Sequence, residues 1–144
     1  MSLVDDLPLV RTVPPVPAFR VVHGDVSITV LPATISLSLY SGDDFWLRLE
    51  VNNEDGEPLD LSNATVHAQV RATVEAAGEP SAVFEPLIST DELGVVFLHL
   101  TWEQSRQAPA SGVWDCRLVT NGDVVTTLAA GPVRMRPSVT RPVP

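Results

Sequence analysis

Apolar and polar residues alternate along several short segments in the middle of the chain. In the segment FWLRLEV, residues 45–51, every second side chain is apolar, and residues 66–72 repeat this pattern. A period of two residues is typical of a β-strand with one buried face. Residues 95–100 are apolar at almost every position, which predicts a central strand buried on both faces.

Turn residues separate these segments and indicate further strands. Asn121-Gly122 lies between two apolar runs and predicts a β-hairpin, and NNEDGEP, residues 52–58, predicts another turn. The one helical pattern is a turn or two that begins after Thr101 and ends before Pro109. We predict the remaining strands at residues 25–31, 34–40, 82–88, 113–119, 124–128 and 132–139.

The pattern as a whole predicts an all-β fold. Short strands separated by frequent turns, without a long amphipathic helix, are typical of a single antiparallel β-sandwich, here of about seven to eight strands. A small barrel is the alternative. A length of 144 residues suits one domain. We place this domain at residues 25–139, between an extended N-terminal arm, residues 1–24, and a short basic tail, residues 140–144.

Prolines concentrate at both ends of the chain. Four of the thirteen fall in the first 17 residues and four in the last 13. Because proline fixes φ and cannot donate in a sheet, VRTVPPVPAF predicts an extended, polyproline-type arm. The apolar side chains of this arm are Val10, Val13, Val16 and Phe19. They pack along their own domain or reach a neighbouring subunit, and their number favours the second interpretation.

The charge balance excludes several classes of partner. The chain has 18 acidic residues against nine cations, for a formal net charge of −9, and every cation is arginine. An acidic domain is repelled by phosphate backbones and by anionic membranes, so we expect neither nucleic-acid nor membrane binding. The absence of lysine indicates a GC-rich genome, and arginine also forms bidentate contacts at interfaces better than lysine does.

The cations are unevenly distributed along the sequence. From Asp43 to Glu103 there are 13 acidic residues and two arginines, whereas the last eleven residues contain Arg134, Arg136 and Arg141 and no acid. The basic C-terminus is therefore a candidate for docking on an acidic surface, such as that of a neighbouring copy. A solvated terminus is the other interpretation.

No set of residues in the sequence predicts catalysis. His67 and His99 have no nearby ligand-forming residues, so we expect no zinc site. The acidic turn at residues 54–57 lacks the spacing of a calcium loop. Cys116 is predicted to be a buried, inert thiol, because its strand offers no base. We therefore expect a protein that is not an enzyme, with no cofactor and no metal.

Two of the three tryptophans have different predicted roles. Trp114 shares one face of a strand with Cys116 and Leu118, which predicts a position in the core. Trp46 shares its face with Arg48 and Glu50. That polar surrounding makes Trp46 a candidate interface residue.

Two longer stretches resemble a known family. The first is GDDFWLRLEVNNEDGEPLDLSNATVHAQVRA, residues 42–72, and the second is GVWDCRLVTNGDVVTTLAAGPVRM, residues 112–135. In their turns and strands they resemble the long-tail-fibre-C-like β-sandwich domain of virion proteins from phages of actinobacteria. They are also similar to the N-terminal domain of phage baseplate upper proteins. The resemblance covers residues 42–139 and carries no catalytic residue.

The resemblance implies a structural role in the virion, with assembly in the host cytoplasm. We expect a capsid accessory or decoration protein that binds major capsid or tail proteins, and copies of itself, through its arm and one face of its sandwich. A minor tail, baseplate or tail-fibre-associated protein is one alternative. The others are a host-surface carbohydrate-binding module built around Trp46 and a fragment of a cell-wall hydrolase.

Overall fold

In the computed structural model, the described residues are 21–27 (backbone only), 32–53, 55–120 and 124–140. They form ten strands and one short helix. The strands are β1 (Val21–Ser27), β2 (Ala33–Thr34), β3 (Leu37–Tyr40), β4 (Phe45–Asn52), β5 (Thr65–Arg71), β6 (Ala82–Val83), β7 (Glu85–Ile88), β8 (Val95–Leu100), β9 (Ser111–Thr120) and β10 (Val124–Arg136), and the helix is α1 (Trp102–Gln107). No helix among these residues is long and apolar enough to cross a membrane. The all-β prediction is confirmed.

The strands form two sheets. The six-stranded sheet has the order β2-β10-β9-β5-β6, with β3 also paired to β10, and the four-stranded sheet has the order β1-β4-β8-β7. The expectation of purely antiparallel sheets is wrong, because β1 lies parallel to β4, and both β2 and β3 lie parallel to β10. Parallel neighbours need a crossover connection, and between β1 and β4 the chain makes this crossover by way of the other sheet.

Three predicted strands differ from the observed ones in their bounds or their continuity. The predicted strand 34–40 is split into β2 and β3, and 82–88 is split into β6 and β7, which belong to different sheets. Phe84 lies between β6 and β7, where the chain changes sheet, and is buried in the core. The strand predicted at 25–31 is observed at Val21–Ser27, where β4 supplies its backbone partners.

The predicted hairpin is confirmed, but its second arm is one long strand. Strand β10 includes the segment predicted at 124–128 and the first five residues of the one predicted at 132–139, and it ends at Arg136. Its register against β9 shifts between Cys116 and Arg117, which lets Leu128 enter the core beside Ala129. Pro132 is tolerated in this strand because it lies between the residues that pair with β2 and those that pair with β3.

Both sheets contribute their buried faces to one hydrophobic core. On β4 and β5 the buried residues are those predicted by the two-residue period. Strand β8 is interior and almost wholly buried, as predicted. Trp114 is 2% exposed, and its indole Nε1 donates a hydrogen bond of 2.8 Å to the Ile35 carbonyl. The predicted core position of Trp114 is therefore confirmed, and its polar atom is satisfied.

The short helix begins where the sequence predicted. The Thr101 hydroxyl accepts a hydrogen bond of 3.2 Å from the Gln104 amide, which is an N-cap. Ser105, on the buried side, accepts a hydrogen bond of 2.8 Å from the Gly42 amide. The helix thereby fastens the turn that leads from β3 into β4.

Candidate protein-interaction surfaces

The outer face of the six-stranded sheet is built by alternate residues of its three longest strands. On β9, Trp114 and Cys116 are buried in the core, whereas Arg117 lies on the opposite, exposed face. The pairing register places Arg117 between His67 of β5 and Thr127 of β10. Because directly paired residues point to the same side of a sheet, these side chains belong to one surface.

This outer face collects cations in an otherwise acidic protein. Six arginines have described side chains, and four of them belong to strands of this sheet: Arg71, Arg117, Arg134 and Arg136. Among the described acidic residues, Asp115 alone belongs to these strands. We call the surface formed by these five residues and their outward neighbours the cationic face.

The arginines of the cationic face differ in their contacts. The Arg71 guanidinium donates hydrogen bonds to the carbonyls of Ala76 and Gly78 and to the side chain of Gln69, so it holds the loop that follows β5. The side chains of the other three arginines form no hydrogen bond or ion pair with the residues that the structure describes. Their bidentate donor capacity is available to a partner.

The cationic face contains an open concavity of about 970 Å³. Apolar side chains line it beside the cations, including Val74 of the loop after β5, Val113 and Val119 of β9, and Pro132 of β10. Tyr40, at the end of the face next to Arg136, is 54% exposed. Exposed tyrosine, valine and arginine side chains together are typical of protein interfaces.

Trp46 lies on the outer face of the other, four-stranded sheet. Its indole stacks on the His99 ring with a centroid distance of 3.9 Å and an interplanar angle of 5°. The His99 Nε2 is 3.0 Å from a carboxylate oxygen of Asp44, which also accepts a hydrogen bond from the Trp102 amide. Glu85 lies 3.9 Å from the other ring nitrogen. One face of the Trp46 indole is therefore occupied within the protein.

The cation on this second face is paired. The Arg48 guanidinium forms ion pairs with Glu50 and, at 2.7 Å, with Glu92, and its side chain is only 15% exposed. Desolvation, the largest influence, acts to lower the pKa of Arg48, but the hydrogen bonds that its guanidinium donates to both carboxylates, together with their negative charges, raise it overall. The outer face of the four-stranded sheet thus satisfies its own charges, in contrast to the cationic face.

The candidate interface residues from the sequence do not form one site. Arg134 and Arg136 lie together on β10, whereas Trp46 lies on the other sheet. The remaining candidates lie outside the residues that the structure describes: Val10, Val13, Val16, Phe19 and Arg141.

Sequence reasoning proposed only Arg134 and Arg136 of the cationic face and missed its other members, among them Arg117 and Tyr40. Arg117 could have been assigned to it, because it alternates with the apolar residues Cys116 and Leu118. Tyr40 had no comparable signal: its place beside Arg136 depends on the parallel pairing of β3 with β10, which are distant in sequence. Only the register of the folded sheet brings those two side chains together.

The described residues offer little for metal or redox chemistry. They contain no group of three or more histidine, cysteine or acidic side chains that could hold a metal ion. Cys116 is fully buried, and desolvation, with the charge of Asp115 as a lesser influence, raises the pKa of its thiol to about 12. The thiol is therefore protonated and inaccessible at neutral pH, as expected for a packing residue.

Hydrogen bonds connect the described residues of the acidic turn predicted at residues 52–58. The Asn53 side chain accepts hydrogen bonds from the amides of Asp55 and Glu57, and Gly56 adopts a φ of 82° that favours glycine. The neighbouring loop at residues 89–94 packs against it, because the Val51 amide donates to the Gly94 carbonyl. The two loops form one acidic end of the molecule, at the close of β4.

Comparison with known proteins adds no relative. No family model matches the chain, and no curated protein matches it.

Proposed function

We propose that this chain is a non-enzymatic structural protein of a tailed-phage virion, a capsid accessory protein that binds other virion proteins. We further propose that its two sheets form a β-sandwich, and that the domain predicted at residues 25–139 begins earlier, at Val21, because β1 pairs with β4 from that residue on. The resemblance of residues 42–72 and 112–135 to virion β-sandwich domains supports the virion context. The arm, for which Val10 to Phe19 are the candidate contacts, adds a second means of attachment.

The observation that carries an interaction role is the cationic face. Arg117, Arg134 and Arg136 have no charged partner among the described residues, although the protein has a net charge of −9. Arginines beside exposed Tyr40 and valines can form charge-assisted hydrogen bonds and bury apolar area in the same contact. A partner that is itself a protein surface can use both the charge-assisted hydrogen bonds and the apolar contact area.

The carbohydrate-binding alternative has weaker support. Sugar-binding platforms need an open aromatic face, whereas one face of Trp46 is covered by His99. A role in the tail or baseplate stays a second candidate, because a small domain with a cationic face suits either location.

Co-sedimentation tests the proposal directly. We expect the purified protein to pellet with undecorated capsids in a saturable ratio, and we expect mass spectrometry to detect it in purified particles. Arg134→Gln with Arg136→Gln should weaken pelleting, whereas Arg48→Gln, on the outer face of the other sheet, should not. Binding to isolated tails alone would assign the protein to the tail. Absence from mature particles would overturn the virion proposal.

A further inference from the structure

The carboxylates of the acidic end are arranged to contact another molecule. We call the two loops that carry Asp55, Glu57, Asp60 and Asp91 the acidic loops. None of the four forms an ion pair with the described part of the chain. The Asn53 side chain accepts hydrogen bonds from the backbone amides of Asp55 and Glu57, and the Asp60 carboxylate accepts one from the Ser62 amide, so less conformational entropy is lost when these residues bind.

The acidic loops and the arginines at the far end of the cationic face cannot neutralise each other within one molecule. The loop with Asp55, Glu57 and Asp60 leads to Thr65, which lies opposite Val119 at one end of β9, whereas Arg134 lies opposite Ser111 at the other end. Val119 and Ser111 are eight residues apart along β9, which corresponds to about 26 Å at 3.3 Å per residue. The unpaired carboxylates of the acidic loops and the unpaired arginines therefore lie far apart within one molecule.

From this arrangement we infer that the chain associates with itself head to tail, with the acidic loops of one copy on Arg134, Arg136 and Tyr40 of the next. The inference rests on the proposed role as an interaction protein and names its partner, a second copy. The carboxylates accept bidentate hydrogen bonds from the two guanidinium groups, while Tyr40 supplies exposed aromatic area beside them.

The contact is heterologous, because the two surfaces in it are different. A heterologous contact leaves one free surface of each kind at the two ends of an assembly, so further copies can add. A multi-copy row of this type suits a protein that covers a larger surface. Charge complementarity also makes the contact sensitive to salt, since screening weakens exposed charge pairs.

Neutralising variants of each surface test the inference by sedimentation velocity. The wild type should form larger species as its concentration rises in about 0.05 M NaCl, and its association should be at least about tenfold weaker in 0.5 M NaCl. Arg134→Gln with Arg136→Gln, and separately Glu57→Gln with Asp60→Asn, should each be monomeric. Arg117→Gln, six residues along β9 from the position opposite Arg134 and outside the proposed contact, is the matched control and should associate as the wild type does.

An equimolar mixture of the two neutralised variants gives the sharpest result. Each variant retains one intact surface, so the mixture should form a dimer and no larger species. A monomeric wild type in low salt, or a mixture that stays monomeric, would overturn the inference. If a monomeric wild type still pelleted with capsids, head-to-tail association would be wrong while the proposed function would stand.

Discussion

The two sheets use the same residue types in opposite ways. The six-stranded sheet points Trp114 into the core, where its Nε1 is hydrogen-bonded, and leaves Arg117 exposed and unpaired among the described residues. Trp46 and Arg48 both point outward from the four-stranded sheet, and each side chain contacts a partner on that same outer face. A tryptophan or an arginine therefore has no fixed role: its place relative to the pleat and its neighbours decides that role.

The comparison also separates stabilisation from recognition. Charges that are paired on their own face add modestly to stability, and they offer little to a partner without first being released. Unpaired charges add nothing to the fold but are ready to bind. This distinction leads us to assign the interaction role to the six-stranded sheet.

The largest expected effect concerns the two tryptophans. Trp114→Ala should destabilise the protein by about 3–5 kcal/mol, because it removes a buried ring and leaves the Ile35 carbonyl unsatisfied. Trp46→Ala removes a half-buried ring and its stack on His99, and should cost only about 1 kcal/mol. Urea denaturation followed by circular dichroism measures both. Equal losses for the two variants would contradict the comparison.

The next effect tests the close approach of β10 to the segment between β2 and β3. A methyl group at Gly131 would overlap the Ile35 carbonyl oxygen, so Gly131→Ala should cost about 2–3 kcal/mol. At Gly78 a methyl group meets no atom, and the positive φ of 83° alone should cost Gly78→Ala about 1 kcal/mol. Thermal denaturation of both variants gives the difference, and a neutral Gly131→Ala would show that this edge yields freely.

A smaller effect separates the paired arginine from the unpaired one. Arg48→Ala should lower the free energy of unfolding by about 0.5–1 kcal/mol, because two ion pairs are lost at a partly buried site. Arg117→Ala should stay within about 0.5 kcal/mol of the wild type. Repeating both measurements in high salt should shrink only the Arg48 effect. A larger loss for Arg117 would mean that the cationic face has a structural partner.

The smallest effect is the pH dependence of the acidic end. Hydrogen bonds from the Ser62 amide and hydroxyl lower the pKa of the Asp60 carboxyl, so the folded state favours its charged form. This contribution is present above the unfolded pKa of about 3.9 and is lost as pH falls through the lower, folded pKa. The difference in Tm between the wild type and Asp60→Ala should therefore vanish in acid. Asp55→Ala, whose carboxylate accepts no hydrogen bond from described residues, is the control.

Local patterns predicted much of the fold. The two-residue period identified the buried residues of β4 and β5, the apolar run identified β8 as interior, and the Thr101 cap marked the start of the helix. These features depend on neighbours within a few residues, so the sequence contains them directly. The splits within residues 34–40 and 82–88 were not predicted, because the break between β2 and β3, which belong to one sheet, and the change of sheet between β6 and β7 both leave the apolar period intact.

The candidate surfaces were only partly predictable. Charge counting drew attention to Arg134 and Arg136, and alternation would have added Arg117. The grouping of Arg136 with Tyr40, and the distance between the arginines and the acidic loops, follow from parallel and antiparallel registers between distant segments. These registers depend on which arrangement buries the whole core. No short segment of the sequence contains that information.

The sequence by itself therefore determined the all-β class, the buried face of its clearest strands, the acidic net charge and the inert character of Cys116. Those properties follow from residue type and period. Tertiary structure alone decided that the sheets are mixed, that Trp46 is stacked on His99, and that cations share one face while acidic loops lie at its far end. Each of these depends on which distant segments pair, because a hydrogen-bonded register fixes the position of every side chain along both strands.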